Sequence, residues 1–178
     1  MRENVTEEIT IETTKEITKE IAKDMKEDMT EEKNPIYQKF AEEAAAMQPR
    51  SVALRRDLHK YPETGWLEMR TTVHIVRRLR ELGYQILTGR EVCLAEARLG
   101  LPDAETLHAH AKTVLQQGVR EEELTPELRE GFTGAIGILD CGPGPVIALR
   151  FDIDALGMVE CPDESHRPTR EGFASVNA

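Results

Sequence analysis

The sequence predicts an α/β fold behind a charged helical tail. Three observations carry that reading. "LEMRTTVHIVRRLRELG" (67–83) places Thr72, Val76, Leu79 and Leu82 on one side of a helix. "GFTGAIGILD" (131–140) then changes texture, becoming β-rich and punctuated by glycine. "VIALRFD" (146–152) is an almost continuous apolar run, which suits a central strand covered on both faces.

Taken in order, residues 1–33 stand apart. They hold 6 basic and 11 acidic residues and no aromatic residue or proline. Ile17, Ile21, Met25 and Met29 recur every four residues, and Glu16, Glu20 and Asp24 interleave with Lys15, Lys19 and Lys23. One narrow stripe without sustained heptads buries too little to offset ordering entropy, so a solvated, partly helical tail is expected rather than a coiled coil. "KNP" closes it, and residues 34–178 read as one domain. A helix follows over about 36–59, with Pro49 as a candidate break. Ile36, Phe40 and Ala44 share one face of it, as do Leu54 and Leu58 later.

"KYPETGW" breaks the chain before the 67–83 helix, whose end is marked by Gly83. "YQIL" reads as a short strand. A helix begins near Asp103 and stops before Gly118, and a short one covers about 126–130. "CGPGP" (141–145) is a turn, so the flanking runs 131–140 and 146–151 are expected to form a hairpin. The last stretch, "CPDESHRPTREGFASVNA", is loop-like.

Composition narrows the function. The chain has 178 residues, 33 acidic against 23 basic, and a net charge of −10. That balance lacks the basic footprint of a nucleic-acid surface and opposes an anionic membrane. No run approaches bilayer-spanning length, and the start "MRENVTEEIT" shows no secretory pattern. Cys93, Cys141 and Cys161 are odd in number and far apart, which suits a reduced, cytoplasmic setting.

The chemistry-bearing residues leave alternatives open. Asp152 and Asp154, at i and i+2 on a strand, would face the same side roughly 7 Å apart. Such a pair can flank a substrate, hold a metal or merely cap the next turn. "FDIDALG" also resembles the nucleophile motif of aspartyl-phosphate phosphatases, but Leu156 stands where that motif wants Thr or Val, and no lysine follows. His108 and His110, two apart on a helix, point opposite ways and read as surface histidines. His74 reads as structural, and His59 as a helix-end histidine favoured by the dipole. His166 lies in a loop with Arg167 and Arg170, a cluster able to take a carboxylate or simply to pack.

Together, "RRDLHKYPETGWLEMRTT", "GFTGAIGIL" and "VIALRFDIDAL" resemble the N-terminal part of the M20 metallopeptidase and amidohydrolase family. "GREV", "RLGLPD" and "SHRPTREGFASVNA" narrow the likeness to a branch that cleaves p-aminobenzoyl-glutamate or related N-acyl amino acids. It covers about 50–178.

The resemblance implies a three-layer αβα catalytic domain of the zinc-peptidase type, of which this chain would be a part. It further implies an inserted dimerisation domain, two divalent metals (Zn or Mn) and a small-molecule amide substrate. By the same likeness, Asp152 would support the metal site without binding the metal. His59 and Glu63 would be structural near the site, and Asp154 would hold the following turn. From their own chemistry, Arg167 and Arg170 are candidates for contact with a substrate carboxylate. Arg150 stands where many members have a metal-binding histidine. "DALGM" departs from the branch's Asp-Ala-Leu-Pro.

In the family, a His-Ala-Cys-Gly-His-Asp element follows a segment like "GFASVNA", and it is not among these residues. The expectation is therefore that the isolated chain binds no metal tightly and does not catalyse. The alternative is a non-catalytic interaction protein or the complementing subunit of a split hydrolase, as a homo- or hetero-oligomer.

Overall fold

A computed structural model describes residues 35–176 of the chain. The stripe Ile17–Met29 lies outside the described residues. The chain divides into two units between Ala53 and Leu54.

Helix α1 runs Pro35–Lys60, so its first part belongs to one unit and its last turns to the other. The expected break at Pro49 does not occur, and the helix passes through it. No residue of α1 is fully buried. Ile36 and Phe40 share a face as the spacing predicts, but both are exposed.

In the second unit, "KYPETGW" turns sharply. Leu67 N donates to Thr64 O at 2.9 Å, and Trp66 sits in the left-handed region at φ 66°. A bulky residue rarely holds that conformation. Here the indole Nε1 donates to Leu99 O at 2.7 Å, which helps fix the turn. Helix α2 (Met69–Glu81) follows. Its buried side is Met69, Thr72, Val73 and Val76, whereas Leu82, expected on that side, is exposed at the helix end.

Helix α3 (Ala104–Gln116) is capped by Asp103, whose side chain accepts from Thr106 N at 2.8 Å. Helix α4 (Pro126–Arg129) has Pro at its start and Thr125 as its cap. Met69 and Val73 of α2 pack with Leu107, Ala111 and Val114 of α3, and Val119, Leu124 and Leu128 close the core.

Strands β1 (Gln85–Thr88) and β2 (Ala135–Ile138) pair antiparallel, with Ile86 opposite Gly137 and Leu87 opposite Ile136. The sheet lies on α2. At Gly137 an added Cβ would lie 3.0 Å from the Leu79 and Tyr84 side chains, so any larger residue would require those side chains to shift. Helix and strand thus combine as an α/β arrangement.

The hairpin between 131–140 and 146–151 does not form. β2 pairs with β1 instead, and 146–151 makes no ladder. Val146 is 96% exposed, Ile147 80% and Leu149 77%. Pro143 and Pro145 offer no N–H to a closing ladder. The apolar run marks a strand that needs neighbours on both sides, and none of the described residues supplies them. A short helix α5 (Arg167–Arg170) ends the described fold.

Candidate functional site

Among the described residues, the most deeply embedded charge is Glu63, 3% exposed. It sits on the turn between α1 and α2 with its carboxylate over the start of α2. Oε1 accepts from Arg70 N at 2.9 Å, and Oε2 accepts from Thr71 N at 2.7 Å. Those are two of the N–H groups that a helix start leaves unpaired, and a carboxylate also complements the dipole there. Oε1 further meets His110 Nε2 at 2.8 Å.

His110 is therefore no free surface histidine, contrary to the expectation from "HAH". Two residues on one helix do point apart, as expected, and one of the directions leads to Glu63. His74 is half-buried, and burial pushes its pKa down, aided by the Arg70 guanidinium.

The neighbouring Glu68 is buried, accepts from Thr133 Oγ1 at 2.7 Å, and has its pKa raised by that burial. The charges of Asp154 and Glu63 push it the same way. The 153–157 segment is tied in by Ala155 N, which donates to Glu63 O at 2.7 Å. Asp154 thus lies near a buried acid pair, itself exposed. Asp152 is exposed and takes Arg150 Nη2 at 2.6 Å. Neither aspartate sits on a strand, so the pair facing one side of a sheet is not formed among the described residues.

A second group joins the end of α1 to residues 160–176. His59, in the last turn of α1 as expected, has Nε2 2.5 Å from Glu160 Oε1, and His166 Nε2 lies 3.7 Å from the same oxygen. Glu160 Oε2 accepts from Ser175 N at 2.7 Å. That backbone N–H, then the two imidazoles, hold the Glu160 pKa below the usual range. Phe173 packs edge-on against His59 with centroids 5.6 Å apart, and Arg56 lies over the same ring at 4.5 Å. Arg56 also pairs with Glu171 at 2.5 Å.

Arg167 Nε donates to Glu171 at 2.6 Å, so its guanidinium is already engaged. Arg170 is exposed and makes no ion pair among the described residues. Sequence reasoning named His59 and His166 but missed Glu160, Arg56, Glu171 and Phe173. They carry no local pattern, and only the return of the chain onto α1 brings them together. Among the described residues, no three His, Cys, Asp or Glu side chains gather so as to hold a metal.

Comparison with known proteins places this geometry. The chain is 45% identical over 134 residues to a p-aminobenzoyl-glutamate hydrolase subunit of Escherichia coli, covering 75% of this chain and 30% of that protein. The chain is a relative of that hydrolase. It is also 45% identical over 130 residues to indole-3-acetyl-aspartic acid hydrolase of Enterobacter agglomerans, covering 72% of this chain and 30% of the relative. A crystal structure of an aminobenzoyl-glutamate utilization protein from Klebsiella pneumoniae superposes with a TM-score of 0.62 at 43% identity, over 65% of this chain and 30% of that one. The chain thus spans about 30% of the length of the proteins it matches. No protein-family model matches it.

Proposed function

We propose that these residues form part of a metal-dependent amidohydrolase of the M20 type. The enzyme cleaves p-aminobenzoyl-glutamate, or a related N-acyl amino acid, in the cytoplasm. The observation that carries the reading is the 45% identity over 134 residues to a hydrolase of that name. A TM-score of 0.62 with a solved relative supports it. The three-layer αβα catalytic domain belongs to the same proposal.

Within it, this chain's residues position and bind. Arg170, exposed and without an ion pair among the described residues, is the better candidate for a substrate carboxylate. Arg167 would first have to leave Glu171. Glu63 and His59 brace the turn and the returning 160–176 segment on which those arginines sit. Asp152 is assigned the support of the metal site. The described side chains do not fit a metal by themselves, so its ligands are assigned to polypeptide outside 35–176. Purified 1–178 is expected to release no glutamate from p-aminobenzoyl-glutamate.

The test is a chimera. Residues 50–178 replace the matching stretch of the Escherichia coli protein, and hydrolysis of p-aminobenzoyl-glutamate is measured. Activity that falls steeply with Asp152→Asn supports the proposal. A folded chimera without activity overturns it. One observation also favours a complementing role in a split hydrolase. Val146–Phe151 is apolar yet exposed, as a segment would be that completes another polypeptide's sheet. Co-purification with a chain that supplies the metal ligands would establish that form.

A further inference from the structure

A cavity of about 210 Å³ opens between α2, the turn after β1 and the loop before α4. None of the site residues carried over from the resemblance lines it. Its floor is apolar, made by Val73, Val76, Leu128 and Phe132. Three arginines and two glutamates stand around it. Glu123 takes both Arg77 and Arg120, which together hold its pKa far below the carboxylate range. Glu122 lies 3.4 Å from Arg120. Arg77 and Arg120 are thereby balanced, and Arg80 is left without an ion pair among the described residues.

Two of the remaining polar groups have one sense. Thr72 Oγ1, on a residue 2% exposed, accepts from Gly134 N at 2.9 Å. Thr125 Oγ1 accepts from Leu128 N at 3.2 Å. A hydroxyl carries one donor hydrogen besides its lone pairs. Neither threonine makes a hydrogen bond with that donor among the described residues; Thr125 is exposed, but Thr72 is buried, and leaving a buried donor unmatched is costly. The lining therefore presents the buried Thr72 hydroxyl as a donor and one unbalanced guanidinium above an apolar floor. Pockets of this make-up take a ligand with an apolar body and a few polar atoms that fix its orientation.

We propose that this cavity binds a small monocarboxylate with a compact apolar body, its carboxylate toward Arg80 and the threonine hydroxyls and its ring or branched chain on Val76 and Leu128, beside Phe132, whose own ring is covered by Arg90 and Arg98. Guanidinium and carboxylate match in a planar, two-bond fork, and the floor excludes water from the rest of the molecule. The volume admits a single ring and no large acyl-amino acid.

The test uses the full chain, with benzoate as probe and benzylamine as its cationic counterpart, followed by amide chemical shifts. Benzoate should shift Val76, Leu128 and Phe132 and bind at least about tenfold more tightly than benzylamine. Arg80→Gln, an exposed change at a helix end, should weaken benzoate about tenfold while leaving the unligated spectrum elsewhere unchanged. Equal binding of the two probes would overturn the proposal without any variant. So would unchanged affinity in Arg80→Gln, or shifts confined to Arg167–Phe173. Because the cavity shares no residue with the hydrolase assignments, loss of either reading leaves the other standing.

Discussion

Glu63 and His110 meet at 2.8 Å although one lies on the turn before α2 and the other in the middle of α3. The contact joins two core helices through a buried carboxylate that also closes the start of α2. A charged acceptor in such a place is worth more than a surface pair, because its partners are N–H groups that would otherwise be buried unmatched.

Glu63→Ala should therefore be among the most destabilising single changes in the chain, by about 3 kcal/mol. Glu63→Gln should cost less, since one amide oxygen can still accept. His110→Ala alone should cost about 1 kcal/mol and show coupling to Glu63 in a double-mutant cycle. Urea unfolding measures each. Additive effects would show that the two side chains do not act together.

Two carboxylates should give opposite pH dependences. Burial raises the Glu68 pKa, so the folded chain holds that proton more tightly than the unfolded chain. Its contribution to stability is greatest below the ordinary carboxylate range and declines as pH rises through the folded pKa. Glu123 is the reverse. Arg77, its first cause, pulls the pKa down, so the stability it supplies is present above the ordinary range and is lost as pH falls. Unfolding midpoints from about pH 3 to pH 8 should show Glu68→Gln removing a decline and Glu123→Gln removing an acid loss. The same slope in wild type and both variants would contradict the assignment.

The exposed run offers a test of its own. Ile147→Lys with Leu149→Lys should change stability by no more than about 0.5 kcal/mol, because both side chains are already in water. Solubility should rise, since an apolar strand-like segment no longer invites edge pairing. Light scattering and unfolding together read this out. A loss of several kcal/mol would mean that the segment is packed in solution.

Arg56 ties the returning segment to α1 through Phe173 and Glu171. Arg56→Ala should cost about 1 kcal/mol, the scale of a partly exposed cation–π contact. Amide exchange should quicken at Phe173 and at Val176, whose N–H reaches Lys60 O at 2.9 Å. Uniform quickening over α2 and α3 would instead point to global destabilisation.

Much of the second unit is legible in the sequence because its signals are local. The amphipathic spacing at 67–83, the caps Asp103 and Thr125, and the short strand at "YQIL" act over a few residues, and the structure places elements there. The hairpin expectation fails for a matching reason. A turn sequence between two apolar runs says that pairing is possible, whereas the partner chosen depends on what else is near, and β1 takes β2. At Pro49 the expected break rests on one missing N–H, yet the helix accommodates it.

By itself, then, the sequence determined the helices with strong periodicity, the acidic balance and a family likeness carried by short motifs. Only the tertiary structure decided that Glu63 caps a helix and meets His110, that Glu160 lies between two histidines, and that a cavity with an apolar floor forms beside Arg80. The physical reason is range. Propensity, capping and periodicity work between neighbours along the chain, but a buried charge takes whichever partner the fold brings within hydrogen-bond distance, and spacing along the sequence does not encode that distance.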